Sequence, residues 1–252
     1  MWTYLKSRYG LLRSLVIYRR PFRQAGLRRF YRPFIGPGDL VFDIGAHLGD
    51  RSTAFAALGA RVIALEPQPQ LFAWLQRLAG RSDQVSCLAL AAGASPGRME
   101  LAVSRVNPTV ASLSRRWREQ VVRTQPGFAG IDWDASFAVE VVTLDQLIER
   151  YGEPVFCKID VEGFEADVLA GLSRALESLS VEFVQGALDQ AQACVDRLET
   201  LARYRYQVVA GENRRFHFSA WRKARSIRHW LDHGADGLAS GDLYARLGDR
   251  LP

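Results

Sequence analysis

The segment LVFDIGAHLGD (40–50) sets Asp43 two residues ahead of the turn glycine Gly45, with a second glycine, Gly49, four residues further on. Glycines between a strand and a helix let the backbone approach a ligand, and their spacing says which ligand. A dinucleotide turn needs G-x-G-x-x-G. With Gly45 as its second glycine, Asp43 and Leu48 fill the other positions; with Gly45 as its first, His47 and Asp50 do. Both registers fail, and no Gly-Lys-Ser/Thr follows to make a P-loop. Asp43 adds a carboxylate that repels a diphosphate and favours an ammonium or sulfonium. Glu66, about twenty residues on, closes the next apolar run, where an acid can accept hydrogen bonds from a ribose diol. Loop and acid together describe a cationic nucleoside without phosphates, and S-adenosylmethionine is such a ligand.

The elements around this loop alternate. Short apolar runs at 40–44, 61–66 and 85–88 are separated by helical patterns at 51–58 and 70–79, which predicts an α/β domain with a parallel sheet flanked by helices. RMELAVS (98–104) and SFAVEVV (136–142) have strand character around a polar, Arg- and Trp-rich insertion at 104–137, a length that suits a lid or binding loop. TLDQLIERYG (143–152) reads as a helix with Asp145 near its start and Gly152 at its end. After the strand PVFCKID (154–160), Phe164, Val168, Leu169, Leu172, Leu176 and Leu179 follow at three- and four-residue steps and predict one buried helix face. A strand at 181–188, a helix at 191–201, a late strand YRYQVVAG (204–211) and a helical tail at 221–251 complete the expectation.

Of the 33 Lys and Arg residues that leave a net charge of +6, nine precede the first acid, Asp39. The excess therefore belongs to an N-terminal arm that reads as a basic amphipathic helix, broken at Pro33 and GPGD (36–39). Such an arm suits weak contact with an anionic membrane surface rather than nucleic-acid binding. The apolar run at 11–18 is interrupted by Arg13, is too short to span a bilayer and has no cleavage site after it, which leads to the expectation of a cytoplasmic protein. Cys87, Cys157 and Cys194 form no C-x-x-C pair and suggest neither zinc nor disulfides. His217, His229 and His233 show no metal-binding pattern. The expected organisation is an arm at 1–38, a ligand-binding domain at 39–210 and a helical extension at 211–252.

FDIGAHLGDRS, ALEPQP, VVTLDQL and above all KIDVEGFEADVLAGL (158–172) resemble, in order and spacing, the FkbM family of S-adenosylmethionine-dependent methyltransferases. The resemblance covers about 40–183. It implies a class I methyltransferase fold, a Rossmann-like three-layer sandwich on a mostly parallel seven-stranded sheet with a late antiparallel strand. It also implies O-methylation of a hydroxyl on a sugar, glycan or secondary metabolite, with S-adenosyl-L-homocysteine as the other product. Asp43, Gly45, Ala46, His47 and Gly49 match the family's cofactor loop, Glu66 its ribose-binding acid, and Ala91 and Ala92 its adenine-flanking segment. His47 stands where asparagine is frequent, and Ala94 where the pattern carries an aspartate.

An open parallel sheet binds ligands at the carboxyl ends of its strands, which places Asp160 and Glu162 near the acceptor, with Glu182 of the next strand beside them. A hydroxyl acceptor must lose its proton, so Asp160 or Glu162 is the candidate base or orienter, with Lys158 as an internal charge partner. Alternatively, Lys158 and Glu162 form a buried ion pair anchoring the turn at Gly163. The three carboxylates could hold a divalent cation, but no ligand spacing demands one and no metal is expected. NPTVASLS (107–114) resembles the family's serine-containing segment, so Ser112, Arg115 and Trp117 are acceptor-side candidates. Two other functions stay open: a non-catalytic adenosylmethionine-binding module, and a membrane-peripheral enzyme acting on a lipid-linked glycan.

Overall fold

The computed structural model describes residues 21–105, 107 and 110–248. Most of the expected arm, 1–20, lies outside the described residues; its last turns form helix α1 (Pro21–Tyr31). From there β1 (Leu40–Ile44), α2 (Asp50–Ala56), β2 (Arg61–Leu65), α3 (Pro69–Leu78) and β3 (Val85–Leu88) alternate as expected. All five residues of β1 are buried, as in a parallel strand covered on both faces. Next come β4 (Ala91–Ala92), β5 (Gly97–Val103), β6 (Ala111–Ser112), α4 (Arg115–Thr124) and β7 (Ala135–Val142). The second half holds α5 (Leu144–Tyr151), β8 (Phe156–Ile159), α6 (Glu165–Ala170), β9 (Ser178–Val184), α7 (Leu188–Leu201), β10 (Tyr204–Ala210), β11 (Arg222–Lys223), α8 (Ala224–Asp232) and β12 (Ser240–Leu247).

The main sheet runs β11-β10-β12-β9-β8-β1-β2-β3. Strands β3, β2, β1, β8 and β9 are mutually parallel, and β12 is antiparallel to both β9 and β10. This is the mostly parallel sheet of the expectation, enlarged from seven to eight strands by the two-residue edge β11. Alternate strand residues feed two cores. Phe42, Ile44, Cys157 and Ile159 meet α5 to α8 on one face, while Val41, Val62 and Phe156 meet α1, α2 and α3 on the other.

Two expectations need correction. The C-terminal tail is not wholly helical: after α8, residues 240–247 form β12, wedged between β9 and β10, so the sheet is incomplete if the domain stops at 210. The periodic run at 164–179 is not one helix either. α6 ends at Ala170, where Gly171 brings the chain against the Gly93 carbonyl, and Leu179 already lies in β9. Burial explains the pattern, since Leu172, Leu176 and Leu179 all enter the core, but from a turn and a strand. Among its described residues the insertion carries β6 and α4: β6 joins the second sheet, ordered β4-β7-β5-β6, and α4 packs Trp117 and Val121 inward.

Candidate functional site

At the carboxyl ends of β1, β2, β8 and β9 lies a cavity of about 270 Å³. The loop after β1 forms its floor. Gly45 has φ +76°, and a Cβ there would fall 1.8 Å from the Asp160 carbonyl oxygen, so only glycine lets β1 and β8 end side by side. Asp43 is fully buried; its carboxylate accepts from Ser52 Oγ at 2.5 Å and faces Lys158 Nζ at 3.4 Å. Lys158 also reaches Asp160 at 3.2 Å and donates to the Gly45 carbonyl at 3.0 Å. Burial opposes its charge, but Asp160 and Asp43 outweigh that and hold its pKa above the lysine range. Lys158 is thus the internal charge partner expected, with Asp43 and Asp160 rather than Glu162 as its ion-pair partners. Asp43 acts through the loop and does not line the cavity.

Glu66 closes β2 and is 5% exposed. Its two oxygens accept from the backbone N–H groups of His47 and Gln68, each at 2.9 Å. These bonds fix the carboxylate while leaving lone pairs for a diol. Burial pushes its pKa up to about 7 against the pull of the two N–H groups. His47, unassigned by its sequence context, therefore has a structural role, because its φ of +52° turns its own N–H onto Glu66. Burial lowers its imidazole to about 4 and keeps the ring neutral.

Asp160, Glu162 and Glu182 meet on the opposite wall, each offering an oxygen within 4.8 Å of the others. Burial raises the pKa of Glu162 and Glu182, and the Asp160 charge adds to the effect. For Asp160 burial acts in the same direction, but Lys158 and Arg51 outweigh it and keep the group low. Glu165, beneath the turn, accepts from Val161 N and Gly163 N at 2.9 and 3.2 Å and holds the KIDVEG backbone.

Ala91 and Ala92 line the cavity, whereas Ala94 stands outside it in an exposed turn. The insertion contributes Val110, Ala111 and Leu113 as an apolar wall. Its expected acceptor contacts are placed differently. Ser112 donates to the Glu162 carbonyl at 2.6 Å and steadies that turn. Arg115 is 85% exposed and paired with Glu119, and Trp117 is buried over Gly163 against Phe128. Neither Arg115 nor Trp117 lines the cavity. Sequence reasoning missed Gln68, Leu71, Leu90 and Glu212; the first three could have been sought as neighbours of Glu66 and Ala91, but Glu212 carries no local signal.

The walls suit adenosylmethionine. Gln68 lines the cavity, is 2% exposed, and its Oε1 has no hydrogen-bond partner in the protein, so a polar ligand is called for. Among the described lining residues there is no Lys or Arg to neutralise a diphosphate. A buried carboxylate with lone pairs to spare, an uncharged polar group and apolar side chains match a nucleoside.

Comparison with known proteins agrees. The "Methyltransferase FkbM domain" family matches residues 43–234. The chain is 26% identical over 151 residues to the hexuronic acid methyltransferase AglP of Haloferax volcanii, covering 58% of this chain and 55% of that protein. It is 34% identical over 168 residues to the 31-O-demethyl-FK506 methyltransferase FkbM of Streptomyces tacrolimicus, covering 55% and 61%. It thus spans less than two thirds of both curated relatives. A solved TehB-like SAM-dependent methyltransferase from Corynebacterium glutamicum superposes with a TM-score of 0.50 at 11% identity, covering 96% of this chain and 97% of that one. That likeness concerns the fold alone. Because the match extends through the glycine loop, Glu66 and the KIDVEG turn, the chain belongs to the FkbM methyltransferase family.

Proposed function

We propose that this chain is an S-adenosylmethionine-dependent O-methyltransferase acting on a hydroxyl of a sugar, glycan or secondary metabolite. The observation that carries the reading is one cavity with a diol-type carboxylate, Glu66, on one wall and the Asp160, Glu162 and Glu182 trio on another. When bound, the cofactor supplies a methyl group on a sulfonium, and its displacement by oxygen leaves neutral S-adenosylhomocysteine. Glu66 holds the ribose hydroxyls, and the apolar side chains of Leu71 and Leu90 exclude water around the base. Asp160, kept ionised by Lys158, is a weak base and a good orienter of the acceptor hydroxyl. Glu162 and Glu182, whose pKa values are raised, are stronger bases once deprotonated, and the pair receives the proton the acceptor loses as its O–C bond forms.

This proton-transfer reading needs no metal. A hard cation would also fit three carboxylates. Activity unchanged in EDTA supports the reading, whereas loss restored by Mg²⁺ assigns the trio to a metal.

The acceptor is taken to be a small molecule or glycan, in line with what the two relatives are named for. No helix among the described residues is long and apolar enough to cross a membrane. The expected cytoplasmic location is kept as part of this proposal, and the membrane contact expected of the arm falls largely on residues 1–20, outside those described. The test is transfer of a labelled methyl group from S-adenosylmethionine to a panel of hydroxylated sugars and macrolide-type alcohols. Cofactor binding without transfer to any acceptor, together with an Asp160→Ala change that leaves pathway output intact, favours the non-catalytic module instead.

A further inference from the structure

Among the described residues three large apolar side chains are exposed, and two of them, Met99 at 37% and Phe137 at 40%, stand on the second sheet. Single apolar side chains at a surface are ordinary, so the meaning of this pair lies in its placement. In the β5–β7 pairing Phe137 lies directly opposite Leu101, and Met99 opposite Val139. Residues opposite one another, and residues two apart along a strand, project from the same face. Met99 and Phe137 therefore share a face with Leu101, Val103, Val139 and Val141, which are buried together with Ala91. The remaining positions of that face are Gly97 and Ala135, so no polar side chain interrupts it. The other face is solvated, with Arg98 and Glu140 paired at 3.3 Å.

Leu101 joins this surface to the main cavity, whose wall it forms with Val110, Ala111 and Leu113. The same wall adjoins the carboxylate trio, because Ser112, between Ala111 and Leu113, is bonded to the Glu162 carbonyl. Ser112 pairs with Ala102 of β5, and β5 pairs in turn with β7. Two strand spacings, about 10 Å, thus separate the strand beside the trio from the strand of Phe137. β4 pairs with β7 only at Val141 and Val142, so beside Phe137 that edge of β7 has no strand among the described residues. The apolar wall runs from the cavity to an open rim. Two side chains offer far less than the roughly 800 Å² per partner that a stable protein interface buries, which argues against a second copy as the occupant. A molecule already seated in the cavity needs no such area.

We infer that Met99 and Phe137 form a ledge for an apolar body of the methyl acceptor. The acceptor is then amphiphilic, with a hydroxylated head in the cavity and an aliphatic or alicyclic skeleton resting on the second sheet. The inference rests on the methyl-transfer reading above and narrows its acceptor class, since a free sugar fills only the cavity and gains nothing from the ledge. Met99 and Phe137 become specificity-determining residues that stand away from the reacting atoms.

The test titrates the full chain, first saturated with S-adenosylhomocysteine, with methyl, butyl and hexyl β-D-glucoside below their micelle-forming concentrations. Burying a methylene raises affinity by about two- to fourfold, the upper value for complete burial. Hexyl glucoside should therefore bind about ten- to hundredfold more tightly than methyl glucoside. The double change Met99→Ser with Phe137→Ser should bring the two within about threefold, leaving methyl glucoside and S-adenosylhomocysteine unchanged. Both positions are exposed, and if the double variant does not fold, each single variant should still lower the gain. Equal affinities in the wild type, no measurable binding of hexyl glucoside, or a gain that survives the serine changes overturns the inference. So does a wild-type dimer in sedimentation that the serine changes dissociate, which would seat a second copy on the ledge. Failure of S-adenosylhomocysteine to bind in the first step refutes the methyl-transfer reading itself.

Discussion

Glu66 is the residue on which the ligand reading turns, and two properties make it testable. Its oxygens are aimed by two backbone N–H groups, so Glu66→Gln removes the charge and one acceptor while keeping the shape. S-adenosylhomocysteine should then bind about ten- to hundredfold more weakly by calorimetry, as expected when a charged hydrogen-bond partner is lost. The pKa values give a stability signature. Glu66 and Glu165 rise from 4.5 to about 7, and Asp242 from 3.8 to about 7, in each case through burial. A carboxyl whose folded pKa is raised contributes stability that is complete below its unfolded pKa and is lost as pH climbs through the folded value. The melting temperature of the ligand-free protein should therefore fall between pH 5 and pH 8, and less steeply in Asp242→Asn. A flat profile contradicts these environments. Catalysis has its own limb: kcat/KM should rise with pH above the ordinary glutamate range, and Glu182→Gln should lower kcat by about 10²- to 10⁴-fold and flatten that limb. Gly45 and Glu66, which line the cavity, were legible because a strand-to-helix turn and the end of the next strand impose local spacing. Glu212 was not, because its contacts with Arg23 and Arg51 span 189 and 161 residues.

The elements that carry these residues are held by contacts sequence spacing only partly reveals. The KIDVEG turn is pinned from above by α4 and from below by Glu165. Gly163 has φ +85°, and a Cβ there would lie 2.0 Å from Trp117 Cγ. Gly163→Ala should destabilise the protein by about 2–4 kcal/mol, combining a left-handed backbone penalty with overpacking. It should also lower methyl transfer by moving Glu162, and thermal unfolding together with activity checks both. An unchanged melting temperature would show that Trp117 does not seal the turn. Trp117 was expected at the acceptor and serves the turn instead; its arginine neighbours suggested a binding surface, but Arg115 and Arg116 pair with Glu119 and Asp189 in solvent. The short helices were the hardest to read. The apolar spacing of 164–179 fits a helical period, yet the close approach of Gly171 to Gly93 ends α6 early. By contrast α5 was clear from Asp145 near its start and Gly152 at its end, and in the structure Thr143 and Gln146 form a reciprocal capping box at that start.

At the scale of the whole molecule, α1 and β12 come together against the parallel half of the fold. Tyr31 of α1 and Tyr244 of β12 meet through their hydroxyls at 3.1 Å, and Tyr31 packs edge-on against Phe55 and near Phe156. The parallel half of the sheet was legible from its alternation of apolar runs and helices. β12 was hidden because its hydrophobic positions are few and its partners lie about thirty to seventy residues earlier in the chain. Removing residues 240–252 should leave β9 and β10 with unpaired edges, so the truncated chain should aggregate or lose cooperative unfolding by circular dichroism. A soluble, cooperatively unfolding fragment would show that β12 is dispensable. All of these features converge on a cavity shaped for a cationic nucleoside without phosphates. Its most direct test is a calorimetric titration of the intact chain with S-adenosylhomocysteine and, separately, NAD. The structure predicts one saturable site for S-adenosylhomocysteine, weakened by Glu66→Gln, and no competing site for NAD; saturable NAD binding with no response to S-adenosylhomocysteine would contradict it.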